Sequence, residues 1–219
     1  VVNGPGKLDI GGDLKGGYGN ANLVANTDIV IQGSWTTSNN ANVGTLSKRG
    51  LGTLIFNGST GGGGSTAGNS ARNMNVIEGA VRIHTASALG ISGTNTISLA
   101  SSDNTGRLEL ANDITLTTAN SRVLYPRGRN NSNSAVHILH YSGNSTLSGT
   151  VNIGSGGELN YNIGSNSGST LTITSVLNQN NTGYGIFNFS GAGDIAVSGN
   201  ITSGGSGKNI AVRKNDAGT

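Results

Sequence analysis

The 219-residue chain contains no cysteine. A disulfide framework is therefore excluded, and rigidity must come from another source, such as a dense hydrogen-bond ladder. There are only two prolines, and charged residues make up 11% of the chain. Disordered chains of low apolar content usually carry more proline or a higher net charge. Here 13 Lys+Arg against 10 Asp+Glu leave +3. That small excess gives no electrostatic footprint for a nucleic-acid partner. No run of 18 apolar residues occurs, so no membrane-spanning helix is expected. No stretch sustains apolar residues at i, i+3, i+4 and i+7, and glycine interrupts every candidate helix. The chain opens on Val1-Val2 without a methionine or a signal-peptide pattern, which suggests processing or excision from something longer.

What is present is glycine, at 38 residues or about 17%, against a usual share near 7%. Short apolar runs, mostly Val, Ile and Leu, alternate with polar residues and are separated by Gly/Asn/Ser clusters. Period-2 alternation predicts strands at 8–10, 28–31, 53–56, 81–83, 96–99, 107–110, 113–116, 136–138, 150–153, 159–161, 171–173, 186–189, 194–197 and 210–212. Asn-Gly pairs occur at Asn3-Gly4 and Asn57-Gly58, but neither joins two close strand runs as a hairpin would. Strands this short, joined by connections of very uneven length, fit a β-solenoid: each coil stacks on the one before, and long connections bulge outward. The expectation is one all-β parallel solenoid over 1–219, of nine to eleven coils at roughly 20–25 residues each. Its core would be aliphatic, widened by Phe56, Tyr161, Phe187 and Phe189, with Asn, Ser and Thr ladders along the stack.

The segment from Leu46 to Gly90 carries a more specific pattern. Leu46, Lys48, Gly50, Gly52, Thr53, Leu54 and Gly58 are spaced as Leu-x-Lys-x-Gly-x-Gly-Thr-Leu-x-x-x-Gly. The strand pattern around Gly79 and the closing Ala88-Leu89-Gly90 follow in order. This segment resembles the autotransporter-associated β-strand repeat. A weaker echo runs from Ile210 to Thr219, keeping Lys214 and Gly218-Thr219 but with Asn215-Asp216-Ala217 in place of the first glycine region. The resemblance implies a right-handed parallel β-helix from a bacterial surface or secreted protein, in which the glycines and the lysine are structural.

Residues that carry chemistry are sparse. The ten acidic residues are scattered, with no Asp-x-Asp and no adjacent pair. A glycosidase needs two carboxylates about 5–10 Å apart, and stacking would have to bring them together. Asp9 and Asp13 are read as turn residues rather than calcium ligands. His137 and His140, three apart, are expected on opposite faces and outward or in loops, which is wrong for a shared metal. His84 stands alone. Gly61–Gly64 lacks the following Gly-Lys-Ser/Thr of a phosphate loop. The densest basic spot, Arg122, Arg127 and Arg129 around Tyr125, is the candidate binding patch for an anionic glycan or an acidic neighbour. Tyr18 and Trp35 are candidates for stacking on a sugar.

The expectation is therefore a non-enzymatic extracellular or cell-surface protein with no cofactor and no metal. Its leading reading is a structural solenoid that self-associates through its end coils into a filament or surface layer, as a fragment or a subunit of a larger assembly. The alternative is an adhesin stalk that binds glycans or host-surface components. A polysaccharide-degrading β-helix enzyme is the third class.

Overall fold

The computed structural model describes residues 1–12, 14–16, 20–33, 35–37, 45–58, 73–89, 95–99, 104–118, 122–126, 134–153, 160–179, 184–203 and 209–218. The described residues form strands and turns, with one short 3-10 segment at Ala86–Leu89. All strand pairing is parallel. One sheet holds nine strands in chain order: Leu8–Ile10, Ile29–Ile31, Thr53–Phe56, Ala80–Ile83, Arg107–Leu110, Ile138–His140, Asn160–Ser165, Gly185–Ser190 and Ile210–Lys214. A second sheet of eleven strands covers the other flank, and a two-stranded sheet pairs Leu14–Gly16 with Trp35–Thr37. Parallel neighbours drawn from successive passes of the chain, with a second sheet between them in sequence, make a β-solenoid.

Register in the long sheet is continuous. Leu8, Ile29, Leu54, Val81, Leu108, Ile138, Ile163 and Phe189 form one column. Two residues on, Ile10, Ile31, Phe56, Ile83, Leu110, His140 and Ser165 form another. Between the ends of the rod these columns are buried. They face the second sheet, whose Met74, Ile97, Leu124, Val151 and Leu177 are likewise buried and in register. The period of two thus puts one row of every strand into a single aliphatic core. Tyr161 and Phe187 stack one above the other within it, with ring centroids 5.8 Å apart.

Two expectations need correction. Nine passes of the chain meet in the long sheet, but the described residues close about five turns, not nine to eleven. A pass takes from 21 residues, Leu8 to Ile29, up to 30, Leu108 to Ile138, and several passes lack described residues on one flank. The histidines are also not outward: His140 ends the strand Ile138–His140, and His137 sits in the bend just before it. His137 and His140 are both completely buried. Asn162 N–H donates to His137 Nδ1 at 3.0 Å, and His140 Nδ1 lies 3.3 Å from Ser165 Oγ. Burial lowers the His140 pKa, because enclosure disfavours its charged form.

Candidate functional sites: a bonded corner, a charged triad, a polar groove and the open ends

The repeat-like residues converge on one corner of the solenoid. Thr45–Arg49 pairs with Asn73–Val76 of the next pass, so Lys48 stands beside Val76 at the edge of the core and is completely buried. Its ammonium donates to the carbonyls of Arg49 (3.1 Å), Gly50 (2.7 Å) and, one pass up, Glu78 (3.1 Å). The Glu78 carboxylate in turn accepts the Gly50 N–H at 2.8 Å. Gly50 turns the chain at φ 78°, a region that suits glycine. Gly79 lies directly on this turn: a Cβ there would come within 2.5 Å of the carbonyl oxygens of both Gly50 and Gly52. The chain then enters Thr53–Phe56, where Thr53 N–H reaches Asp28 Oδ1 of the pass below at 2.8 Å and Leu54 joins the core.

Desolvation pulls the Lys48 ammonium down to about 8, against the opposing charges of Glu78 and Asp28. The three carbonyl acceptors make this a capped structural cation rather than an accessible nucleophile. Leu46 packs half-buried against the core, and Ala88 and Leu89 of the 3-10 segment are buried in it. Gly58 sits under the Gly33 carbonyl, and Gly90 lies outside the described residues. The echo at the far end repeats the geometry. Lys214 Nζ donates to Asn215 O (2.9 Å) and Asp216 O (3.1 Å), and Asp216 adopts φ 67° where the first turn has Gly50.

A second charged group lies further along the long sheet. Glu109 is completely buried, held by Arg82 Nε at 2.7 Å and by Arg107 through Nε at 2.7 Å and Nη2 at 2.6 Å. The Arg82 guanidinium is covered by the Tyr141 ring, 3.5 Å from its centroid. Glu109 thus faces two arginines. Asp113, the acid near it in sequence, accepts the Asn144 N–H at 2.6 Å.

A groove of about 580 Å³ crosses the same sheet nearer its end. Asn160, Asn162, Gly164, Asn188 and Ser190 form its floor. Val136 and Leu139 stand on one wall, Arg213 and Asp216 on the other. The floor amides are bonded to each other: Asn188 Nδ2 donates to Asn160 Oδ1 (3.0 Å) and Asn162 Oδ1 (2.8 Å), while Asn162 Nδ2 donates to the Ala135 carbonyl (3.0 Å).

Apolar exposure concentrates at the two ends of the stack. Of the seven large hydrophobic residues exposed among the described residues, Val1 and Leu8 belong to the first pass and Val197 and Val212 to the last two. Leu8 continues the first core column, and Val212 stands in register on Phe187.

The candidate binding patch is only partly described. Arg122 and Tyr125 belong to the strand Arg122–Pro126 rather than to a loop, and their side chains, with all of Arg127 and Arg129, lie outside the described residues. Tyr18, the Trp35 side chain, Asp13 and Gly61–Gly64 also lie outside them. Asp9 is described: it is bound by Gln32 Nε2 at 3.1 and 3.2 Å and paired with Lys7 at 3.5 Å. Among the described residues, no group of three or more His, Cys, Asp or Glu is placed to hold a metal. No helix among them is long and apolar enough to cross a membrane.

Sequence reasoning missed the polar groove and the buried triad. Asn162, Asn188 and Arg213 are 26 and 25 residues apart, and only the register of stacked passes brings them together. Fold and corner together define an all-β parallel solenoid whose turns are pinned by lysine, glycine and acidic side chains. Comparison with protein-family models, with curated proteins and with solved structures finds no match.

Proposed function

We propose that the chain is a structural β-solenoid of an extracellular or bacterial-surface protein, built to stack end to end with further coils into a filament or surface layer. The observation that carries this reading is the unbroken stack: one core column runs in register from Leu8 through eight passes to Phe189. The long sheet starts with Leu8–Ile10 and finishes with Ile210–Lys214, and each of these strands has a neighbour on one side only among the described residues. An unpaired parallel edge with apolar core positions beside it is a template for another strand. The Leu46–Gly90 resemblance supports a right-handed passenger-type β-helix and the surface location. Electron microscopy of the purified chain tests the reading: filaments with an axial repeat of one rod length are expected. A monodisperse monomer at high concentration would overturn it.

A second reading, an adhesin stalk that binds glycans, is supported by the polar groove on the flank.

A further inference from the structure

We propose that the groove floored by Asn160, Asn162 and Asn188 is a binding site for a neutral oligosaccharide, lying across the rod. The site lies on the outer face of the sheet, away from the buried core columns.

Its size falls in the range of small-molecule sites. Its chemistry narrows the ligand. Arg213 and Asp216 are the charged side chains of the lining, and their formal charges cancel. A phosphate or uronate chain would find one cation with a carboxylate beside it, so an anionic polymer is disfavoured. Only Val136 and Leu139 offer sizeable apolar surface, too little for a lipid or an aromatic ligand. A peptide adding as a strand would need an open sheet edge. The floor is instead the face of paired strands, whose backbone N–H and C=O groups are spent in the ladder.

What the floor offers is fixed polar side chains. Asn188 gives both amide hydrogens to Asn160 and Asn162, which settles its orientation and leaves its Oδ1 without a partner among the described residues. The bond from Asn162 to Ala135 O ties this set to the wall. Arg213 adds donors, and it makes no ion pair among the described residues. Acceptors and donors held a few ångströms apart suit vicinal hydroxyls, each of which can donate and accept at once. Gly164 keeps the floor low, since even a Cβ there would press on Leu139 and Val136 at 3.3 Å. Preorganised amides cost little to order when a ligand arrives.

The test uses the whole chain, titrated with neutral hexasaccharides (maltohexaose, cellohexaose, mannohexaose) and with hexagalacturonate as the anionic arm. Amide and side-chain NMR shifts at Asn188, Ser190 and Arg213 are the readout. Saturable binding of at least one neutral sugar is expected, weakened at least tenfold by Ser190→Tyr, which fills the groove, and severalfold by Arg213→Ala. Both substitutions lie on the outer face, and unchanged thermal unfolding certifies the fold. The proposal fails if no neutral sugar shifts these residues at millimolar concentration. It also fails if the galacturonate alone binds, or if Ser190→Tyr binds as the parent does. Electron microscopy of Ser190→Tyr separates this site from end stacking, because Ser190 lies on the outer face of the strand before the last and filament formation should be unaffected.

Discussion

At the scale of single residues, buried charge sets the pH behaviour. Lys48 is enclosed by three carbonyls, and replacing it with methionine leaves those acceptors without their donor. Lys48→Met is expected to lose about 2–4 kcal/mol, read as a lower urea midpoint at pH 7. The lysine also gives the chain a slope on the alkaline side. Its ordinary value of 10.5 falls to about 8 in the fold, chiefly through desolvation. Between those values the unfolded chain holds a proton that the folded one has released, so stability rises with pH across that window, by at most about 3 kcal/mol. Lys48→Met should lack this rise when both proteins are unfolded at pH 7.5 and pH 10. On the acid side His140 works in the same direction. Burial lowers it against the Ser142 carbonyl and Asp113, so below pH 6.5 the unfolded chain takes up a proton that the folded one refuses. Stability should therefore fall as pH drops through that region, with His84 adding to the loss through its own burial and the Arg82 charge. His140→Phe should flatten that acid limb in thermal melts.

At the scale of strands and turns, neighbouring passes are tied by side chains as well as by backbone. Glu109 links the strands Ala80–Ile83 and Arg107–Leu110 through two arginines. Glu109→Gln removes the anion that pairs both arginines and should cost about 3 kcal/mol, since breaking a buried pair leaves its charges uncompensated. Arg107 is partly exposed, which keeps the loss at the low end of that class. Equilibrium urea unfolding would measure it. At Gly52 a Cβ would collide with the Thr27 carbonyl, so Gly52→Ala should lower the melting point whatever helix or strand propensity it adds. These ties explain what the sequence could and could not reveal. Strands with two apolar residues at period two, such as Thr53–Phe56 and Thr170–Ile173, were readable because burial alone places them. Thr45–Arg49 and Val176–Gln179 were not, because an inward position is held by Lys48 in one and Gln179 in the other. Lys48 takes one of its three acceptors, the Glu78 carbonyl, from the next pass, and sequence-local patterns do not contain that contact. The corner residues were readable by resemblance, although only the stacking shows why lysine and glycine occur together there. The groove was invisible for the same reason as the polar strands.

At the scale of the whole molecule, end-to-end growth makes a prediction that side-by-side association does not. A solenoid stacked in parallel has two different ends, so the contact is heterologous and does not close on itself. Leu8 lies at one end and Val212 at the other, 40% and 55% exposed, and both occupy core columns that a further coil would extend. Lysine at either place sets a charge against the apolar column of the incoming coil, a strong penalty in a buried contact. Leu8→Lys alone leaves a usable far end but no near end to receive it, and Val212→Lys alone does the reverse. Each variant should therefore be monomeric by light scattering where the parent forms filaments. Mixed in equal amounts, they should form dimers and stop, because the one compatible contact joins the intact end of each and leaves both outer ends blocked. Filaments that persist in either variant would place the contact on the flank, and a mixture that stays monomeric would mean that the open ends do not stack on one another.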